Sequence, residues 1–178
     1  QSHLENIFDP LWIKVQNWIK KNWPFNIDFN VTLSRDLQTL SPSDFGFHNA
    51  LRMDSARLCF LDFEYFGWDD PVKLVSDFCW HPGMHLANQL RTIWLQETFE
   101  LFKGDPYFLS RLNILHPAFG LNWSLIVLNS YLPRVRGKNQ KYYDLEEQLE
   151  KSIKSCEKVN ELIKHGSCIS SNLDSAVN

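Results

Sequence analysis

The chain has no hydrophobic run long enough to cross a bilayer. Its longest purely aliphatic stretch is Leu125 to Leu128, and a spanning helix needs about 20 apolar residues. No basic-then-apolar signal peptide opens the sequence. There is no excess of positive charge either: 18 Lys and Arg stand against 21 Asp and Glu, a formal net charge of -3. Such a balance gives no electrostatic footprint for a phosphate polyanion, so the expected protein is soluble, with neither nucleic acid nor membrane as partner. Glycine is scarce, at seven residues, and these form no G-x-G-x-x-G loop and no P-loop; a strand lysine of the V-A-I-K type is also missing. The four cysteines, Cys59, Cys79, Cys156 and Cys168, include no C-x-x-C pair and are too widely spaced for a zinc knuckle. Free or buried thiols in a reducing cytoplasm are the economical expectation.

What the sequence does have is core-forming material. With 178 residues, 44% apolar and 14% aromatic, the chain can bury a core without a disulfide or metal staple. Apolar residues at Ile7, Phe8, Leu11, Trp12, Val15, Trp18 and Ile19 recur at helical spacing, with Asp9 as cap and Pro10 at the first helical position, and predict a helix that ends near Asn22. Asp70-Pro71 and Asp105-Pro106 repeat that start signal. Helices are also expected over His85–Lys103, over Pro117–Leu132 as a central element, and over Tyr142–His165 as an amphipathic one stopped by Gly166. The basic loop Arg134–Lys141 is too short to separate two folds, and Gly166–Asn178 reads as a frayed Ser-rich tail. One sheet signal stands out. Ala50–Met53 and Leu58–Phe63 are short and apolar, split by residues 54–57, which predicts a hairpin with a four-residue turn. The expected fold class is therefore mainly α with a small β-hairpin (α+β), one domain over residues 1–165 followed by a tail at 166–178.

The chemistry gathers around that hairpin. A ribbon symmetric about its turn places Asn49 opposite Asp62 and converges an amide oxygen and a carboxylate. Hard oxygen donors of this kind suit Mg²⁺, which takes one or two carboxylates plus phosphate oxygens. Asp44 lies five residues before Asn49, in a loop that Pro42 and Gly46 are expected to turn, and adds a carboxylate able to orient and deprotonate a hydroxyl. His48 is a candidate donor to a phosphate or substrate oxygen, or a packed and hydrogen-bonded flank of the strand.

The run Asp44-x-x-x-x-Asn49, followed by Asp62-Phe63-Glu64 and then Gly67-x-Asp69-Asp70-Pro71, resembles the C-terminal lobe of the aminoglycoside phosphotransferase and choline kinase family, within the protein kinase-like fold. The resemblance spans about Leu33 to Pro82. It implies Asp44 as catalytic base, Asn49 and Asp62 as Mg²⁺ ligands, Glu64 as a further metal carboxylate, ATP as phosphoryl donor and a small hydroxyl compound as acceptor. The literal tripeptide Asp44-Phe45-Gly46 is not the metal-binding motif of protein kinases, because it precedes the hairpin rather than following it. Pro42 stands where the family has the motif His, Gly46 where it often has His or Lys, and Leu74 where it often has Asp. With no nucleotide-clamping motif in the 40 or so residues before Asp44, the chain is expected to be part of a longer protein whose N-terminal lobe is missing here, and to bind nucleotide poorly alone.

Two other functions fit the same residues: a non-catalytic kinase-like binding or scaffold module, which the departures from the motif favour, and a metal-dependent phosphoester hydrolase. Other features read as structure. His81 and His85 have a helical metal-ligand spacing, but Pro82 and Gly83 between them predict a helix-end loop. Trp68, Trp80, Trp94 and Trp123 are expected in the core rather than in a cation-binding box. Asp69, Asp70 and Asp77 are a candidate acidic floor for an amine, with Asp70 better placed as a helix cap.

Overall fold

The computed structural model describes residues 2–24, 26–54, 57–84, 86–132 and 144–166. Most of them are helical, and four three-residue strands make two antiparallel ribbons, an α+β arrangement. The helices are α1 (Asp9–Asn22), α2 (Pro71–Trp80), α3 (Asn88–Phe102), α4 (Phe108–Ile126) and α5 (Leu145–His165). The strands are β1 (Thr39–Ser41), β2 (Ala50–Arg52), β3 (Leu58–Phe60) and β4 (Gly67–Asp69). Strand β1 pairs with β4 and β2 with β3, so the inner ribbon is nested in sequence between the strands of the outer one. Among the described residues, no helix is long and apolar enough to cross a membrane.

Helix α2 organises the interior, since eight of its ten residues are buried. On one side Val72, Val75 and Cys79 pack with Leu95 of α3 and with Phe108 and Leu112 of α4. On the other side Trp80 joins Leu11 and Val15 of α1, Leu121 and Trp123 of α4, and Cys156 and Val159 of α5. The start of α2 follows from its sequence. The Asp70 carboxylate accepts from the Val72 N–H at 2.9 Å, and Pro71 occupies the first turn, where a missing N–H costs nothing. Helix α5 is capped by Asp144, whose carboxylate accepts from the N–H groups of Glu146 and Glu147, and it ends at Gly166 in the left-handed conformation.

Several sequence expectations are corrected. Asp9 does not cap a helix: its backbone is helical, and a π-helical turn over Leu4–Phe8 runs directly into α1. The wider turn, closed by the Asp9 N–H on Leu4 O, relieves the clash that Pro10 imposes on the preceding turn. The expected central helix over 117–132 starts earlier, at Phe108, holds Pro117 inside it, and gives way to a 3₁₀ turn at Val127–Tyr131. Helices α3 and α5 each begin three residues later than expected. The β1–β4 ribbon was not expected, because three-residue strands are too short to show a period of two. Segment 134–141, the tail from 167 onwards, His85 and Cys168 lie outside the described residues; Cys59, Cys79 and Cys156 are free thiols.

Where α2, α4 and α5 meet, the Trp80 indole N–H donates to the His116 carbonyl at 2.9 Å. A Cβ on Gly120 of α4 would stand 2.6 Å from both the Trp80 ring and Val159 Cγ2. Only glycine fits this crossing. Gly120→Ala is expected to lower stability by about 1–3 kcal/mol through overpacking, measured by denaturant unfolding with an unchanged slope; a neutral effect would show that the crossing can open.

Candidate functional site

The loop from Pro42 to Asn49 is built to aim one carboxylate. Pro42 and the preceding Ser41 are buried. The Asp44 N–H donates back to Pro42 O at 2.7 Å around Ser43, whose φ of 63° is left-handed. This tight turn is uncommon for a non-glycine residue and costs roughly 1–3 kcal/mol, supplied by the surrounding structure. Ser43, not Gly46, is therefore where the chain turns. The Ser43 N–H donates to Ser41 Oγ at 3.2 Å and its hydroxyl to Tyr65 O at 3.3 Å, tying the loop to the segment after the inner ribbon. Next along the chain, Phe45 anchors the loop against Phe60, Phe78 and Trp94. Gly46 is extended, and it is glycine for want of space: a Cβ there would lie 2.6 Å from the His48 ring and 2.7 Å from Met84 Sδ.

Around Asp44 the side chains converge. The Asn49 amide donates from Nδ2 to Asp44 O at 2.9 Å and to Asp44 Oδ2 at 3.2 Å. Two acceptors on one side fix which end of the amide faces them, so Asn49 Oδ1 points away and receives no hydrogen bond among the described residues. The other carboxylate oxygen, Oδ1, accepts from His48 Nε2 at 3.0 Å and has His81 Nε2 at 3.7 Å. His48 and His81 are stacked face to face, centroids 3.9 Å apart and planes within 2°. Exposure grades across the cluster, from 44% for the Asp44 side chain through 26% for His48 to 15% for His81. Solvent and solutes reach the carboxylate, and His81 backs it.

His81 is a member of the cluster that the sequence placed only in a loop. It caps the C-terminus of α2, and its Nδ1 accepts from the Gly83 N–H at 3.0 Å. That bond puts the ring proton of neutral His81 on Nε2, facing Asp44. Trp123 meets the ring edge-on at 4.6 Å and donates its indole N–H to Asp77 Oδ1, which ties the site to the core. Burial, with a smaller contribution from His48, lowers the His81 pKa from 6.5 to about 4, against the opposing pull of Asp44. Helix-end placement of a histidine is legible in one sequence; its meeting with a ring 33 positions earlier is not.

Asp44, His48 and His81 are close enough to suggest a metal site with two histidines and one carboxylate. The ring geometry argues against it. Imidazole lone pairs lie in the ring plane, and no point lies in the planes of two parallel stacked rings, here with centroids 3.9 Å apart. A shared ion would sit well out of both planes, so the histidines do not form a chelate. The oxygen donors, Asn49 Oδ1 and the carboxylates, remain as the set suited to a hard cation.

Asp62 and Glu64 are not in that contact set. The inner ribbon pairs Ala50 with Phe60, Leu51 with Cys59 and Arg52 with Leu58, and the Leu61 N–H donates to Asn49 O at 2.8 Å. Asn49 therefore faces Leu61, not Asp62. The connection is one residue shorter than expected, because the Met53 N–H already bonds Arg57 O and leaves only 54–56 between. A one-residue slip sends strand side chains to the other face. Asp62, two residues beyond β3, leaves extended geometry with a φ of 62°. It is exposed, as is Glu64, whose carboxylate bonds the Tyr65 hydroxyl and raises its pKa. The acidic floor is engaged by cations of the fold: Asp69 and Asp77 both pair with Lys73, at 3.6 and 3.1 Å, and Asp70 pairs with Arg111 at 3.0 Å. Of the tryptophans, Trp80 and Trp123 are core residues, whereas Trp68 is exposed beneath the Arg35 guanidinium.

No protein-family profile, curated protein sequence or solved structure matches the chain.

The histidine environment sets a pH dependence. Burial also pushes fully enclosed His116 down to about 3. Between the ordinary value of 6.5 and these lowered values the unfolded chain binds more protons than the folded one, so stability is full above pH 6.5 and falls as the pH drops towards 4. The thermal midpoint should fall across that window, less steeply in His81→Gln than in the native chain, and the His81 ring should show no NMR inflection near 6.5. Such an inflection would place His81 outside the buried cluster.

Proposed function

We propose that this chain is the C-terminal, acceptor-binding lobe of an ATP- and Mg²⁺-dependent phosphotransferase that acts on a hydroxyl of a small molecule. The observation that carries the reading is the tether between Asp44 and Asn49. One amide holds both the main chain and the carboxylate of Asp44, leaving a solvent-reachable acid beside an amide oxygen with no hydrogen-bond partner among the described residues. An acid that must orient a hydroxyl, next to an oxygen available to a cation, is the pair that phosphoryl transfer requires.

In this reading the acceptor hydroxyl approaches Asp44. Its oxygen bonds to the γ-phosphorus, the bond from that phosphorus to the β,γ-bridging oxygen breaks, and ADP leaves with the electron pair. The hydroxyl proton passes to the Asp44 carboxylate. The Ser43 turn and the Asn49 amide keep the carboxylate from rotating, and His48 on Oδ1 disperses its charge and leaves Oδ2 as the oxygen facing the acceptor. Asn49 Oδ1 is the group proposed to hold Mg²⁺, which when bound neutralises charge on the phosphates; exposed Asp62, which does not face Asn49 across the ribbon, would have to reach the ion from beyond β3. Glu64 serves that role less well, since it is engaged by Tyr65. The lysine and loop that clamp the nucleotide come, on this reading, from a separate lobe of the full-length protein, in the cytoplasm where ATP is available.

One observation favours a non-catalytic binding module instead: both oxygens of Asp44 already accept a protein hydrogen bond, Oδ1 from His48 and Oδ2 from Asn49, so an incoming hydroxyl must share one of them. The two readings separate in the full-length protein. Mg²⁺ with ATP is expected to raise its thermal midpoint, because a ligand that binds only the native state stabilises it. Asp44→Asn should keep that shift and lower turnover by a factor of about 10² or more. No shift would favour the binding module, unchanged turnover would remove Asp44 as base, and phosphate release from esters without ATP would indicate a hydrolase.

A further inference from the structure

Between the C-terminal end of α2, the start of α3 and one face of α5 lies a cavity of about 300 Å³. Four of its lining side chains are cationic, Arg91, Lys151, Lys154 and Lys158, and none is a carboxylate. Lys151 and Lys154 have partners of their own one turn back, Glu147 at 2.7 Å and Glu150 at 2.6 Å. Arg91 and Lys158 do not. Neither has a carboxylate within 4.0 Å among the described residues, and Arg91 Nε is buried with no hydrogen-bond partner. The Lys158 ammonium sits 4.3 Å over the Trp80 ring, an aromatic face in place of a counter-ion.

Two half-buried cations that face the same space repel one another. Burial first, and Arg91 second, bring the Lys158 pKa down from 10.5 to about 8, and both cations act to depress buried His116. Folded proteins normally pair buried charges, because an unpaired one carries its full desolvation cost. Two cations with no carboxylate partner among the described residues, lining a pocket roomy enough for a small solute, make an arrangement that a bound anion completes. His81 lines this cavity and also stacks on His48 beside Asp44, so the cavity adjoins the cluster that holds the candidate base.

We propose that this cavity binds an oxyanion, held by the Arg91 guanidinium and the Lys158 ammonium, and that the phosphoryl acceptor is an anionic hydroxyl compound which docks its charged group there. The second half rests on the phosphotransferase reading; the first does not. The probe is inorganic phosphate, titrated into the chain by calorimetry or NMR with chloride holding the ionic strength constant. Saturable binding is expected. Arg91→Gln and Lys158→Met should each weaken it about tenfold or more, the loss of one charge-assisted contact. Lys158→Arg should retain it, and so should Lys154→Gln and Asp44→Asn. Absence of saturable binding, or an equal loss in Lys154→Gln, overturns the site. Phosphate binding without any response of the full-length protein to Mg²⁺ and ATP would leave the oxyanion site standing and end the acceptor assignment. A Mg²⁺–ATP response without phosphate binding would do the reverse.

Discussion

The arrangement of helices depends on one buried guanidinium. Arg111, on α4, donates to Asp70 Oδ2 at 3.0 Å and to Asp105 Oδ2 at 2.7 Å, and its side chain is 5% exposed. Asp70 is at the same time the cap of α2, and Asp105 accepts from the Tyr107 N–H just before α4 begins. A single cation therefore binds the starts of two helices that pack along each other. Such a group is costly to bury alone and costs about 3–5 kcal/mol when a partner is removed, so its value lies in fixing geometry rather than in adding net stability. Everything at the far end of α2 inherits that placement: Asp77, which holds Trp123; Trp80, wedged against Gly120; and His81, which ends the helix under Asp44.

The candidate site is thus assembled from two sources of order. One is local, a loop between β1 and β2 whose hydrogen bonds close over a few residues. The other is distant, the end of a buried helix that arrives from the core with a neutral, enclosed imidazole. Where they meet, the carboxylate contacts solvent on one side and stacked rings on the other, an asymmetry suited to receiving a solute from a single direction.

How much of this was legible in the sequence divides along the range of the interactions. The Asp70-Pro71 start, the stop at Gly166 and the amphipathic α5 are local signals, and they read correctly because caps and helical periodicity involve neighbours in the chain. The Asp44–Asn49 pair was also legible, being five residues apart. Asp9-Pro10 carried the same start signal as Asp70-Pro71 but was overridden by a π turn that lets the helix run through it. The inner hairpin was recognised, yet its register was not, since nothing in residues 54–57 distinguishes a three-residue from a four-residue connection. That single residue decides whether Asn49 faces Asp62 or Leu61. His81 and the cation pair Arg91 and Lys158 were missed because their partners lie many tens of residues away, on other helices.

Ser43 adds a consequence of another kind. Its left-handed backbone is what turns Asp44 towards the cluster, and that conformation is closed to β-branched residues while open to glycine, asparagine and aspartate. Which substitutions this position tolerates is therefore filtered by torsion angle before any question of chemistry arises: a residue with no role in a reaction still governs whether the neighbouring acid reaches its place.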